Sequence, residues 1–460
     1  MPIGRGPRCL APALLLMLAV VPALAQSASD AQKPGSPAGL WDRPNLLGDL
    51  GGLRPALDEF GATLSLSEVS EVLGNVTGGV RRGFAYDGLT TASLKLDTKK
   101  AFHWSGGTFF VSALQIHGRS LSADNLLTIQ TASGIEADRA TRLWELWLQQ
   151  EFPAGIDVKI GQQSLDQEFI TSSYAALYFN TAMGWPALPS VDLYAGGPAY
   201  PLSSLGIRLR AKPTKALTVL AGVFDDNPPG GPFFDDPQRR DGEASGTRFN
   251  LGTGALWIAE IQYAPPDAAL SGTYKLGMWF DTARFPDRRF DAAGLSLADP
   301  ASSGIARQHR GNFSLYGVVD RQLWRAAAGP RALGGFLRLM GAPGDRNLVD
   351  WALNVGLNLK APFPGRDDDT FGISYDWAHV GNGASAFDRD VGRFAGIPFP
   401  VRDAEHVIEI TYQYQAAPWW AVQPDLQYAI DPGGAAANPH DPIRRLGNEL
   451  VIGLRTTITF

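Results

Sequence analysis

From Glu449 to the end of the chain, residues sort by parity. The even positions read Leu450, Ile452, Leu454, Thr456, Ile458 and Phe460; the odd positions read Glu449, Val451, Gly453, Arg455, Thr457 and Thr459. Period two is the signature of a strand, whose side chains point alternately to opposite faces. One face here is apolar and the other small or polar, the pattern of a strand set between hydrocarbon and a wet interior. The chain closes on an aromatic residue where an interfacial girdle belongs. Beyond the first 25 residues no apolar run reaches the ~20 residues that a spanning helix needs, so any membrane crossing has to be made by strands.

The same alternation recurs upstream. Outward Trp351, Leu353, Val355, Leu357 and Leu359 oppose Asp350, Asn354, Asn358 and Lys360, and outward Ile408, Ile410, Tyr412 and Tyr414 oppose Glu405, Glu409, Gln413 and Gln415. Leu205, Ile207 and Leu209 alternate with Gly206, Arg208 and Arg210. The pattern predicts sixteen strands, near 60–70, 89–98, 107–117, 142–152, 156–163, 203–212, 216–224, 256–264, 272–281, 311–320, 333–341, 350–360, 370–380, 405–415, 419–430 and 449–460. An even count suits a single-chain bacterial barrel.

Connection lengths agree independently. The three-residue turns 153–155, 213–215 and 416–418 all follow even-numbered strands, whereas the long connections 118–141, 164–202, 225–255, 282–310, 381–404 and 431–448 all follow odd-numbered ones. Short turns on one side and long loops on the other are the asymmetry of outer-membrane barrels, and they place the C-terminus in the periplasm. A soluble β-sandwich or propeller would alternate as well, but it would not sort its loops by parity, and no repeat of propeller length is visible.

The N-terminus reads as an export signal. Arg5 and Arg8 form a basic start, Leu10–Val21 an apolar core, and Ala23-Leu24-Ala25 a small-x-small site that predicts a mature chain beginning at Gln26. The domain plan is then a signal over 1–25, an N-terminal segment over 26–59 and a barrel over 60–460. Cleavage removes Cys9, the sole cysteine, leaving no disulfide, thiolate nucleophile or cysteine metal ligand. It also leaves 38 Lys+Arg against 46 Asp+Glu, a net of −8, which is no nucleic-acid footprint.

Sixteen strands ~4.8 Å apart and tilted ~40° enclose a cylinder roughly 30 Å across, too wide for side chains to fill. The longest connection, 164–202, is the natural candidate to fold inward and narrow it. Its only charges are Asp166, Glu168 and Asp192, and it carries Trp185 among seven aromatic residues. Lys159 precedes it on the wall, and Arg208 and Arg210 follow it on the luminal face. We therefore expect Glu168 and Asp192 to face Arg208 and Arg210 across the opening, with Trp185, Lys159 and the inward Arg338 as further lining. Arginine and carboxylate groups exchange hydrogen bonds with hydroxyls, and aromatic faces pack on the C–H faces of pyranoses. Asp367-Asp368-Asp369 reads as a solvated periplasmic turn.

The chain resembles the OprB-type carbohydrate-selective porin family over nearly all of 44–460. The resemblance rests on Leu47–Arg54, Val72–Gly83, Val111–Arg119, Ala140–Trp147, Phe179–Pro186, Gly196–Leu202 and Gln423–Tyr428. Asn180-Thr181-Ala182 departs conservatively from the Asn-Ser-Thr expected at that place. The resemblance implies a 16-stranded antiparallel outer-membrane barrel with a short N-terminal helix over Leu53–Phe60, and passive uptake of glucose and related sugars. A general small-solute porin is the alternative reading, and a barrel hydrolase a remote one. The partners implied are small sugars and outer-membrane lipid; lipid-facing and subunit-facing strands are both apolar, so monomer and homo-oligomer stay open as alternatives. No cofactor or metal is called for: Gly252-x-Gly254 lacks the third glycine of a dinucleotide loop, and the six histidines show no ligand spacing. A receptor barrel would need a plug domain, and the stretch ahead of the first strand is too short for one.

Overall fold

The computed structural model describes residues 39–233, 244–266 and 270–460, so the leader, its junction at Gln26 and Cys9 lie outside the described residues. In chain order the strands are β1 (Ala62–Thr77), β2 (Gly83–Asp97), β3 (Gly107–Gly118), β4 (Ala140–Phe152), β5 (Ile156–Gln163), β6 (Ser204–Ala211), β7 (Leu217–Asp225), β8 (Ala255–Tyr263) and β9 (Gly272–Asp291). They continue as β10 (Ala306–Arg325), β11 (Ala332–Gly341), β12 (Val349–Lys360), β13 (Thr370–Val380), β14 (Ala404–Ala417), β15 (Trp420–Ile430), β16 (Ala437–Asn438), β17 (Asp441–Arg445) and β18 (Glu449–Thr459). β16 and β17 make a small hairpin within a long loop. The other sixteen form one closed antiparallel barrel in which β18, paired on one side with β15, closes on β1. At the seam Glu71 lies opposite Arg455, and the two side chains form an ion pair.

The faces follow the alternation. Ile452 and Leu454 are exposed to the membrane side while Glu449 and Val451 are buried inside; Ile207 and Leu209 are exposed while Arg208 is buried. Closure leaves the spanning ladder without an unpaired edge, which hydrocarbon demands because it offers no water to free N–H and C=O groups.

All sixteen predicted strands form, and four run longer than predicted, β2 among them, since it begins at Gly83. β1 reaches Thr77, and β9 and β10 are 20 residues each. The connection read as a loop over 282–310 is largely a hairpin that carries the ladder onward, pairing Arg310 with Arg284 and Ala306 with Asp291. Both of its faces carry polar residues, so it lacks the hydrophobic period of the spanning part.

The expected helix Leu53–Phe60 is present, bounded by Gly52 and Gly61 in left-handed backbone at φ 94° and 89°. It sits at the periplasmic mouth. Phe60 packs edge-on against Phe102, and Arg54 donates to the carbonyl oxygens of Leu64 and Phe460. The turn over 361–369 corrects the expectation of a solvated acidic run. Asp367 and Asp368 are exposed, but Asp369 is fully buried, accepting from Arg366, the Tyr412 hydroxyl and the Gln415 N–H. The Arg366 guanidinium, which also stacks on the Tyr414 ring at 3.9 Å, supplies the compensating charge.

The largest hydrophobic core lies inside the barrel. Leu165, Phe169, Ile170, Trp185, Leu188, Val191 and Leu193 of the loop 164–202 pack against inward Leu220, Phe224, Leu256, Ile258, Trp279, Tyr316, Val318 and Met340. At these positions strands β7–β11 are apolar on both faces, one toward lipid and one toward the loop.

Candidate functional site

A loop laid through a lumen must satisfy its backbone polar groups, and the wall is built to do so. Inward carboxylates take the loop's N–H groups: Glu145 that of Ser164, Glu260 that of Ile170, Asp320 that of Ser173, and Glu409 those of Phe179 and Asn180, at 2.6–3.1 Å. Inward donors take its carbonyls: Lys275 donates to Thr171 at 2.7 Å and Gln423 to Leu177 at 2.7 Å. These anchors come from β4, β8, β9, β10, β14 and β15, so the loop circles the inner wall.

Arg338 on β11 is the hub of this docking. It is fully buried, and its guanidinium donates to the carbonyls of Ile170 (2.9 Å), Met183 (3.0 Å), Gly184 (3.4 Å) and Ala182, and to Asn354 Oδ1 (2.8 Å). Trp185 is buried within the loop's own fold, donating its indole N–H to the Gly196 carbonyl at 2.9 Å.

The register places Arg208 beside Lys159 and Arg210 beside Asp157 on β5 and β6. Glu168 comes down onto this patch, bonding Lys159 Nζ and lying 2.6 Å from Arg208 Nε. Arg208 is held on its other side by Asp157 and by Gln149 at 3.0 Å, and Arg210 pairs with Asp157 at 2.6 Å. Three cations thus meet two carboxylates, an excess of one positive charge. Arg208 is 1% exposed at its side chain, whereas Arg210 and Glu168 keep 27% and 22%, so these two present charge to the lumen. Burial pushes the Glu168 carboxyl upward, but Lys159 and Arg208 outweigh it and hold the group below its ordinary range.

Asp192 does not join this patch. It is fully buried at the far end of the loop, where it accepts from the N–H groups of Leu348 (2.6 Å) and Val349 (3.1 Å) and from Arg288 (3.2 Å). It tethers the loop to the β11–β12 connection on the extracellular side. Glu168, for its part, sits on Lys159 and Arg208 rather than across an opening from them.

A second inward loop, 119–139, was not singled out by the sequence. Glu405 accepts the N–H groups of Ile129 and Gln130, both at 2.8 Å. The Gly134 N–H donates to the Phe179 carbonyl at 2.7 Å and the Gln427 amide to the Ala132 carbonyl at 2.8 Å. The two loops thus support each other. Burial raises the Glu136 carboxyl in this loop to about 7, even though Ser120 and Ser122 donate to it. Trp147, stacked on Phe110 at 4.9 Å with Lys159 Nζ 4.8 Å from its ring, completes the wall beside Glu168. Among the described residues no cluster of His, Cys, Asp and Glu could hold a metal ion.

Comparison with known proteins agrees with this architecture. Porin B of Pseudomonas aeruginosa is 27% identical over 458 residues, 94% of each chain. The structure described as the high-pH form of Pseudomonas putida OprB superposes with a TM-score of 0.78 at 23% identity, covering 92% of this chain and all of that one. Its low-pH counterpart gives 0.57 at 19% identity, covering 91% and 99%. Residues 81–460 match the family described as carbohydrate-selective porin, OprB family. The chain belongs to that family: it is an outer-membrane porin, a channel and not an enzyme.

Proposed function

We propose that this porin carries glucose and related small sugars passively into the periplasm through a lumen narrowed by 164–202, with Glu168, Arg208, Arg210 and Lys159 as its polar filter. The observation that supports this most directly is the descent of Glu168 onto a basic wall patch, leaving Arg210 and Glu168 partly open to water. A guanidinium and a carboxylate side by side offer donors and acceptors to neighbouring hydroxyls without a net charge large enough to demand an ionic substrate. Arg338, Asp192 and Trp185 serve in this reading as supports that hold the loop. The domain plan stands with it: a signal removed after Ala25, an N-terminal segment to residue 59 and the barrel beyond. The outward apolar faces would meet outer-membrane lipid or neighbouring copies of the chain.

Liposome swelling with a panel of sugars and amino acids tests the reading. Wild-type protein should admit hexoses faster than amino acids of similar size, and a variant with 164–202 shortened should admit both alike. Equal, unselective rates in the wild type would refute a sugar filter.

A further inference from the structure

The outer face of the β9–β10 hairpin carries an arrangement that transport does not use. Arg284 and Arg310 stand directly opposite each other across the ladder, both exposed. Like charges in that position repel, and neither guanidinium has an ion-pair or hydrogen-bond partner among the described residues. Two steps toward the membrane on the same face, past Thr282, lies the exposed pair Phe280 and Phe313, also directly opposite each other. Gly311, at φ +80°, lies between the two pairs where the register shifts.

Below this face the barrel wall is hollowed. Ala221 and Ala259 lie side by side on β7 and β8, flanked by Ile207, Leu209, Trp257, Met278 and Phe280, and together they border an apolar groove of about 340 Å³. Arg284 follows Phe280 by four residues on the long-loop side of the barrel. At ~3.3 Å per residue and ~40° of tilt, it stands about 10 Å above the aromatic ring, the height of a headgroup layer.

We infer that this face binds a phosphorylated lipid of the outer leaflet, with its phosphate held between Arg284 and Arg310 and one acyl chain lying in the groove floored by Ala221 and Ala259. Charge complementarity selects the headgroup: two unpaired guanidiniums form a forked, bidentate cradle for phosphate oxygens, and binding removes the repulsion between them. The groove supplies the second contact, which a free phosphate ion could not use.

Native mass spectrometry of the full protein in detergent, titrated with bisphosphorylated lipid A, provides the test. Wild-type protein should retain the lipid, and Arg284→Gln with Arg310→Gln should weaken retention at least tenfold. Ala259→Phe, which fills the groove and leaves the arginines in place, should weaken it as well. Arg284→Lys with Arg310→Lys should keep part of the binding, which guards against a misfolded glutamine variant, and unchanged heat-modifiable gel mobility confirms each barrel. Equal retention by wild type and glutamine variant would overturn the proposal. So would equal binding of dephosphorylated lipid A, or stabilisation by millimolar inorganic phosphate matching that of the lipid.

Discussion

Replacing Arg338 with alanine removes the guanidinium that clamps 164–202 to the wall. Four loop carbonyls and the Asn354 side chain lose their donor together. A buried acceptor left without a partner costs about 1–3 kcal/mol, so four could cost about 4–12 kcal/mol if the vacated space stayed dry. Water entering from the lumen recovers much of this, leaving about 3–5 kcal/mol of lost docking energy, the range for breaking a buried charged contact. The strand ladder makes no use of the Arg338 side chain, so the barrel should stay folded and heat-modifiable. Single-channel recording should show larger, noisier steps, and liposome swelling a flatter ranking of sugars. Arg338→Lys keeps one charge but not the fork, and should fall between the two. A folded alanine variant with wild-type conductance and sugar ranking would refute the view that this residue holds the loop in place.

Arg208→Ala with Arg210→Ala should shift ion selectivity toward cations, because Asp157 and Glu168 lose two of their three counter-charges; reversal-potential measurements decide it. The lowered Glu168 carboxyl contributes stability above its unfolded value near ~4.3 and loses it as pH falls through the lower folded value. Conductance should therefore hold from pH 7 to 5 and change only in stronger acid; a step near neutrality that Glu168→Gln abolishes would contradict this. Glu136 has the opposite sign: its carboxyl is raised to about 7, so the packing of 119–139 is firmest in mild acid and loosens as pH rises through that value. Amide exchange in this loop, corrected for the intrinsic pH dependence, should quicken between pH 5 and 8 in wild type and lose that response in Glu136→Gln.

The barrel was legible because lipid enforces period two on every strand, and loop parity then fixed the sidedness. The interior was less so. Lys159, Arg208 and Arg210 could be placed on one wall because alternation sets their facing on β5 and β6, and Glu168 lies close to them in the chain. Asp192 could not be placed, since charge spacing along a loop says nothing about where the loop turns back. The docking of 164–202 does have a sequence signal: around Leu220, Phe224, Leu256, Ile258, Trp279 and Val318 the inward positions are apolar, which a wall facing water would not tolerate. The second loop, 119–139, has a fainter marker of the same kind, inward Leu73, Ala85 and Val451, against which its Leu121, Leu126 and Ala132 pack while Glu405 and Gln427 hold its backbone.

The length of the β9–β10 hairpin creates a hazard of its own. β8 pairs with β9 only as far as Asp281, and β11 meets β10 only from Leu315, so the upper arms leave the barrel with open ladder edges. Such edges are templates for strand addition by a neighbouring molecule on a crowded cell surface. The sequence blunts them. Pro286 interrupts one arm with a residue that cannot donate, and Arg284, Arg289, Arg307 and Arg310 put repelling charge along both. The helix Asn382–Ala395 leans on the hairpin through Asp390, which takes both Arg289 Nε (2.7 Å) and Nη2 (3.2 Å). Cutting that brace with Asp390→Ala would bare the edge, and the first symptom would be barrels joined mouth to mouth.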